Sequence, residues 1–349
     1  MGSVYSGRII FLMEVELSYS DEMKSVAKTM VEGSRGLLAA DESSPTLTKR
    51  FDALGLESTY ESRRNWRQML FSTPGLATWI SGVILFDETF RQESTSGVAF
   101  PEYLASLGVL AGIKVDTGAK PMAGRPAETV TEGLDGLAPR MAEYRSLGAT
   151  FAKWRAVIKI EEQTLPSRAA ILANAHGLAR YAKICQSEGI VPIVEPEVLM
   201  DGNHSIERSF EVTSEVLQSV FSELWLQEVA LDQMVLKPSM VISGKGAANR
   251  ASREEVANLS VECYRNHVPG TVAGIALLSG GQRDREATEH LAIMNRGKAL
   301  PWPITFSYGR ALQDAALESW ATKRYDVEAA QGQLAERAAA NHRAASGQD

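Results

Sequence analysis

Two pairs of charged residues stand inside otherwise apolar runs. Lys153 and Arg155 lie two apart in Ala152-Lys153-Trp154-Arg155-Ala156-Val157, and Glu195 and Glu197 lie two apart in Val191-Pro192-Ile193-Val194-Glu195-Pro196-Glu197. In an extended strand, positions i and i+2 share a face, so each pair presents its charges to one side. Lys237 interrupts a third run, Met234-Val235-Leu236-Lys237-Pro238, and Asp41, Lys114 and Asp116 close two more. An ionised group in an apolar strand is costly unless it is paired. Alone, a lysine such as Lys237 more often snorkels to a rim glutamate. Two cations and two carboxylates on the same faces reverse that balance and point to a reactive site. Burial and a nearby cation would favour the neutral amine of Lys237, a nucleophile able to form an imine with a carbonyl.

A second set suits anions. Ser279-Gly280-Gly281 and Ser307-Tyr308-Gly309-Arg310 each close an apolar run. Glycines let backbone N–H groups approach phosphate oxygens, and an arginine adds a charge-assisted contact. Lys49, Arg50 and Lys114 form another basic group that could hold a second phosphate, although Lys49 and Arg50 read equally as a solvated helix face. The five histidines, His176, His204, His267, His290 and His342, are isolated and show neither HxH nor HExxH spacing, so no metal site is expected. Carbonyl activation then falls to a lysine imine. Cys185 and Cys263 lie outside any CxxC motif, which fits a reducing compartment.

These residues need elements to position them. Eight short runs rich in Val, Ile, Leu and Ala span 36–41, 80–87, 110–116, 151–159, 190–197, 234–239, 272–280 and 303–309, their starts 30 to 44 residues apart. Most lack strict alternation, as strands covered on both faces do. The gaps at 168–188 and 205–229 carry apolar residues three and four apart, a helical period. Strand and helix alternate throughout, and eight repeats predict a single (β/α)₈ barrel, an α/β fold of TIM type. In such a barrel the strand C-termini converge, which brings the charged residues together. The expected division is an N-terminal extension over 1–20, the barrel over 21–325 and a tail over 326–349. Residues 330–345, rich in Ala, Arg and Gln, read as a weak helix followed by a disordered tail. The chain has 349 residues, a hydrophobic fraction of 44% and a net charge of −7, which argues against nucleic-acid or membrane-surface binding. The apolar run at 9–13 is too short for a signal-peptide core. The start Met1-Gly2-Ser3-Val4-Tyr5-Ser6 fits a myristoylation pattern only formally and reads as an ordinary start.

The stretches Leu37-Leu38-Ala39-Ala40-Asp41-Glu42-Ser43, Gly112-Ile113-Lys114-Val115-Asp116, Ala152-Lys153-Trp154-Arg155, 191–197, Leu236-Lys237-Pro238, 278–282 and 306–312 together resemble the class I fructose-bisphosphate aldolases. The likeness runs from about Tyr19 to Trp320. It implies reversible cleavage of fructose 1,6-bisphosphate to dihydroxyacetone phosphate and glyceraldehyde 3-phosphate, with no cofactor, by a cytoplasmic homotetramer. Lys237 matches the Schiff-base lysine. Glu195 matches the acid–base residue that dehydrates the carbinolamine, and Asp41 the residue that deprotonates the C4 hydroxyl. Lys153 and Glu197 match supporting residues. Ser279, Gly280, Gly281, Ser307 and Arg310 match the C1-phosphate site. Ser43, Arg50 and Lys114 match contacts nearer the C6-phosphate, with Arg63 and Arg155 beside them. Two departures accompany the match. The turn reads Ser44-Pro45-Thr46, where Thr46 keeps a hydroxyl and Pro45 stiffens the loop. No tyrosine follows Tyr325, whereas many relatives end in a tyrosine that assists proton transfer at C3. Two rival readings are another Schiff-base barrel acting on a monophosphate sugar and a non-catalytic scaffold barrel. The two phosphate clusters weigh against the first, and the charged strand ends against the second.

Overall fold

The apolar runs become strands because each is buried on both sides. The structure is a computed structural model that describes residues 19–297, 299–323 and 325–348, so most of the expected N-terminal extension, including the formal myristoylation pattern and the run at 9–13, lies outside the described residues. The strands are β1 (Gly36–Ala40), β2 (Ile80–Leu85), β3 (Leu110–Lys114), β4 (Ala119–Met122), β5 (Arg125–Thr131), β6 (Phe151–Ile158), β7 (Val191–Val198), β8 (Val235–Leu236), β9 (Gly274–Leu277) and β10 (Ile304–Tyr308). Eight close into an all-parallel barrel in the order β1-β10-β9-β8-β7-β6-β3-β2. Each expected run matches one barrel strand, with β7 passing the end of its run by one residue. The antiparallel hairpin β4–β5 was not anticipated, since its residues are mostly exposed and carry no apolar signal.

The strand expected over 234–239 is only two residues long. Lys237 N–H still donates to Val194 O at 2.8 Å, but Pro238 has no N–H to continue the ladder.

Crossover helices pack outside, while the helix before β1 closes one end of the barrel. Those used below are α1 (19–31), α2 (Ser44–Asp52), α3 (Tyr60–Phe71), α4 (Leu76–Trp79), α5 (Asp87–Phe90), α6 (Phe100–Ser106), α7 (Leu137–Ser146), α8 (Arg168–Ser187), α9 (Ile206–Leu226), α10 (Arg253–His267), α11 (Asp284–Asn295), α12 (Arg310–Thr322) and α13 (Val327–Ala345). The periodic segments at 168–188 and 205–229 are α8 and α9. Each starts at a serine whose hydroxyl accepts a backbone N–H of the first turn, Ser167 from Ala170 and Ser205 from Arg208, the usual N-cap arrangement.

Two apolar cores result. One lies between barrel and helices. The other fills the barrel's lower half, where Leu37, Ala39, Ile84, Phe151, Val191, Ile193, Val235 and Ala276 meet Met23, Ala27, Met30 and Val31 of α1. Helix α1 therefore plugs the N-terminal end of the barrel. The tail also departs from expectation. The helix begins at Val327 and is docked, with Ala330, Leu334, Ala338 and Ala344 buried in the outer core. Gln331 donates to Met69 O at 3.2 Å, and Thr288 to Asn341 Oδ1 at 2.9 Å. The loose continuation expected after it is a turn, closed by Gln348 N–H to Arg343 O at 3.0 Å. Small alanines let α13 approach its neighbours closely, so a segment poor in large apolar residues still buries a face.

Candidate active site

Period-two alternation carries the inner face of each strand from apolar to charged. Leu37 and Ala39 are followed by Asp41, Phe151 by Lys153 and Arg155, Ile193 by Glu195 and Glu197, and Val235 by Lys237. The apolar members close the lower barrel, and the charged members stand one layer above, at the strand C-termini. A cleft of about 590 Å³ opens there. It is lined by Asp41, Ser43, Thr46, Lys49, Arg50, Lys114, Asp116, Lys153, Arg155, Glu195, Glu197, Lys237, Ser279, Gly280, Gly281, Ser307 and Arg310. The cleft thus gathers every candidate residue except Arg63, whose guanidinium pairs with Glu88 of α5 at 2.7 Å.

At the cleft floor, Glu195 lies between two buried lysines. Its Oε1 is 3.2 Å from Lys237 Nζ, and its Oε2 is 3.4 Å from Lys153 Nζ. Lys153 Nζ also lies 2.7 Å from Asp41 Oδ2. Lys153, Glu195 and Lys237 are each only about 4% exposed. Burial by itself would push the Asp41 carboxyl up, but Lys153, Lys237 and Lys114 together outweigh it and hold Asp41 well below the ordinary carboxylate range. Burial would likewise strip the proton from Lys153, yet Asp41, Glu195 and Asp116 hold its ammonium well above the ordinary lysine value. Lys153 is therefore a fixed cation and Asp41 a fixed carboxylate. Higher up, Arg155 pairs through Nε with Glu197 and donates its backbone N–H to Asp116 Oδ2 at 3.4 Å. Burial opposes the charge on Arg155, and Glu197 more than restores it.

The β9 and β10 ends bring glycines, hydroxyls and an arginine to one side of the cleft. Gly280 and Gly281 adopt φ of +59° and +86°, the left-handed region where glycine carries no steric cost. The Ser307 hydroxyl is buried with no hydrogen-bond partner in the protein, a donor left for something bound in the cleft. Arg310 opens α12, so the positive end of that helix faces the same space. On the far side, Ser43 and Thr46 hydroxyls lie 3.0 Å apart, and Lys114 Nζ is 3.4 Å from Asp116. Arg50 is engaged by Glu42, by Asp314 at 2.8 Å and by Gln313 at 3.3 Å. Glu42 went unremarked in the sequence. It also accepts from buried Arg67 at 3.0 Å, and its one signal was an acid next to Asp41. Among the described residues, no group of three or more His, Cys, Asp or Glu is placed to hold a metal ion.

Comparison with known proteins gives a consistent result. The model of the family described as fructose-bisphosphate aldolase class-I matches residues 22–349. A "Probable fructose-bisphosphate aldolase class 1" of Xanthomonas campestris is 54% identical over 300 residues, covering 86% of this chain and 90% of its own length. The "Fructose-bisphosphate aldolase" of Drosophila melanogaster is 49% identical over 329 residues, 94% of this chain and 91% of that protein. A solved structure of the fructose-bisphosphate aldolase from Plasmodium falciparum, in complex with TRAP and a small-molecule inhibitor, superposes with a TM-score of 0.93 at 43% identity, covering 95% of this chain and 96% of that one.

Proposed function

This chain belongs to the class I fructose-bisphosphate aldolases, and from that premise we propose that its reaction runs through a Schiff base on Lys237. The protein is a lyase of the glycolytic aldolase family, and the family binds a sugar bisphosphate. The observation that carries the residue assignment is the position of Glu195 between Lys237 at 3.2 Å and Lys153 at 3.4 Å.

The Lys237 ammonium passes a proton to the Glu195 carboxylate 3.2 Å away, and the freed amine attacks the C2 carbonyl of fructose 1,6-bisphosphate. Glu195 gives a proton to the carbinolamine hydroxyl, which leaves as water, and an iminium forms. Asp41, an ionised carboxylate, takes the C4 hydroxyl proton. The C3–C4 bond then breaks, its electron pair moves into the iminium, and glyceraldehyde 3-phosphate departs. Asp41 returns its proton to solvent, a proton from water reaches C3 of the enamine, and hydrolysis of the resulting iminium releases dihydroxyacetone phosphate and Lys237. Lys153 stays charged throughout and offsets the carboxylates around it. Glu197 holds Arg155 above the reacting carbons. Ser279, Gly280, Gly281, Ser307 and Arg310 bind the C1-phosphate. Ser43, Thr46, Arg50 and Lys114 receive the C6-phosphate, for which Arg50 exchanges part of its contact with Glu42 and Asp314.

The same premise supports a cytoplasmic homotetramer whose catalytic unit is the barrel over 21–325. Its two cysteines are buried free thiols, Cys185 pushed well above the ordinary thiol value by burial and Cys263 to about 11. The central claim is tested by borohydride reduction in the presence of dihydroxyacetone phosphate, followed by peptide mapping. The expected result is inactivation with the label on Lys237. A label on Lys153 or Lys114 would overturn the assignment.

A further inference from the structure

Lys245 sits on the loop between β8 and α10, beside the anion cradle and outside every role assigned above. Three successive backbone bonds tie this loop to the one after β7. Gly244 N–H donates to His204 O at 2.9 Å, Lys245 N–H to Met200 O at 2.8 Å and Gly246 N–H to Gly202 O at 2.9 Å. The two loops approach so closely that a side chain at 244 would strike the Gly202 carbonyl. The backbone of Lys245 is thus fixed, and its side chain leans over the β9 loop. A methyl group in place of the Gly281 hydrogen would lie 2.9 Å from Lys245 Nζ and 3.4 Å from Arg310 Nη2. The ammonium and the guanidinium therefore flank the same glycine.

The partner that Lys245 has here is weakly held. Its Nζ is 2.9 Å from Asp201 Oδ1, with the two side chains 44% and 63% exposed. Ion pairs that open to water are worth little, while an ammonium meeting a phosphate dianion makes a charge-assisted bond. We propose that Lys245 is a further phosphate-binding residue, whose ammonium exchanges Asp201 for the sugar phosphate seated on Gly280 and Gly281. The inference rests on reading the β9–β10 ends as a phosphate cradle. Asp201 then works as a competitor for the same cation, so removing it tightens phosphate binding.

The test measures kcat and KM for fructose 1,6-bisphosphate, and the inhibition constant of inorganic phosphate, for Lys245→Met, Lys245→Arg, Asp201→Asn and Arg310→Met. Loss of one exposed charge-assisted bond should raise KM and the phosphate inhibition constant about tenfold in Lys245→Met, with kcat within about twofold of the wild type. Lys245→Arg should restore most of the affinity. Asp201→Asn should lower both constants about twofold, the opposite sign from Lys245→Met. Unchanged constants in Lys245→Met beside a large rise in Arg310→Met would overturn the role of Lys245 and leave the cradle standing. Equal losses in Asp201→Asn and Lys245→Met would reduce the pair to a structural clasp. No effect of Arg310→Met would remove the phosphate cradle itself, and the Lys245 assignment with it.

Discussion

At the scale of the residue, the site is a small circuit of charges in which each member fixes the state of the next. Lys153 is held as a cation by Asp41 and Glu195, and Asp41 is held as a carboxylate by Lys153, Lys237 and Lys114 against the cost of burial. In the proposed mechanism Glu195 is the member that moves a proton, and it touches Lys237 directly at 3.2 Å. Glu195→Gln keeps the shape and removes that proton. Since a general acid–base group contributes about 10² to 10⁴-fold, kcat should fall by that order while the melting curve stays close to the wild type. Glu197→Gln, which only loosens the pair with Arg155, should cost less than about tenfold, as expected for a residue one contact removed from the chemistry. Steady-state rates of the two variants check this, and a near wild-type kcat in Glu195→Gln would leave Glu195 a structural partner of the lysines.

At the scale of the element, helix α11 ties the loop after β9 to the fold. His290, 1% exposed on its inner face, has Nδ1 2.7 Å from Gln282 Oε1, so Nδ1 carries the proton and Gln282 is fixed one residue beyond Gly281. Burial pulls the His290 pKa down to about 4, with Glu286 opposing and Arg253 and Arg250 assisting. The unfolded chain, with an ordinary histidine near pH 6.5, binds more protons between about pH 6.5 and 4 than the folded one does. The stability contributed by neutral His290 is therefore complete above about 6.5 and falls as pH drops towards 4, by ~3–4 kcal/mol at most. Urea midpoints measured from pH 7 to 4.5 should decline, and His290→Asn should flatten the decline. An identical slope in both proteins would remove His290 from the account. Helices α8 and α9 were legible because each buries an apolar stripe whose period survives in the sequence, and the eight strands because burial on both faces leaves continuous apolar runs. The hairpin β4–β5 was not, since residues such as Lys120 and Pro121 are exposed and pair only through backbone. Nor was the docking of α13, which rests on alanines fitting close to α11 and α12. The placement of Asp41, Lys153, Glu195, Glu197 and Lys237 was legible together, because several charges interrupting or closing apolar runs need a common reason. Glu42 and Lys245 lie on loops, where no period announces which way a side chain points.

At the scale of the whole molecule, a chain of net charge −7 brings seven lysines and arginines to one mouth, so its affinity for an anionic sugar is a local property of the barrel's C-terminal face. The opposite face is closed by α1 and by the end of α13, and this decides what the C-terminal residues can do. His342 Nδ1 lies 3.1 Å from the carbonyl of Ser34, two residues before β1 enters the barrel at Gly36. Lys237 and Asp41 stand at the other ends of their strands. Residues 343–348 therefore pack beneath the barrel, where Ala344 is 1% exposed, and Arg343 O accepts the N–H of Gln348 at 3.0 Å. Removing 343–349 strips a buried alanine and the last turn of α13 from the outer core. The cost should be about 1–3 kcal/mol, in the range of ordinary destabilising changes, and should appear as a Tm lowered by several degrees. The chemistry lies a barrel's length away, so kcat for fructose 1,6-bisphosphate at 25 °C should stay within about threefold of the full chain. Calorimetry and steady-state rates on the two proteins separate the effects. A fall in kcat of about a hundredfold, near 2.7 kcal/mol of barrier, with Tm unchanged would mean that these residues leave the lower face during turnover and reach the mouth.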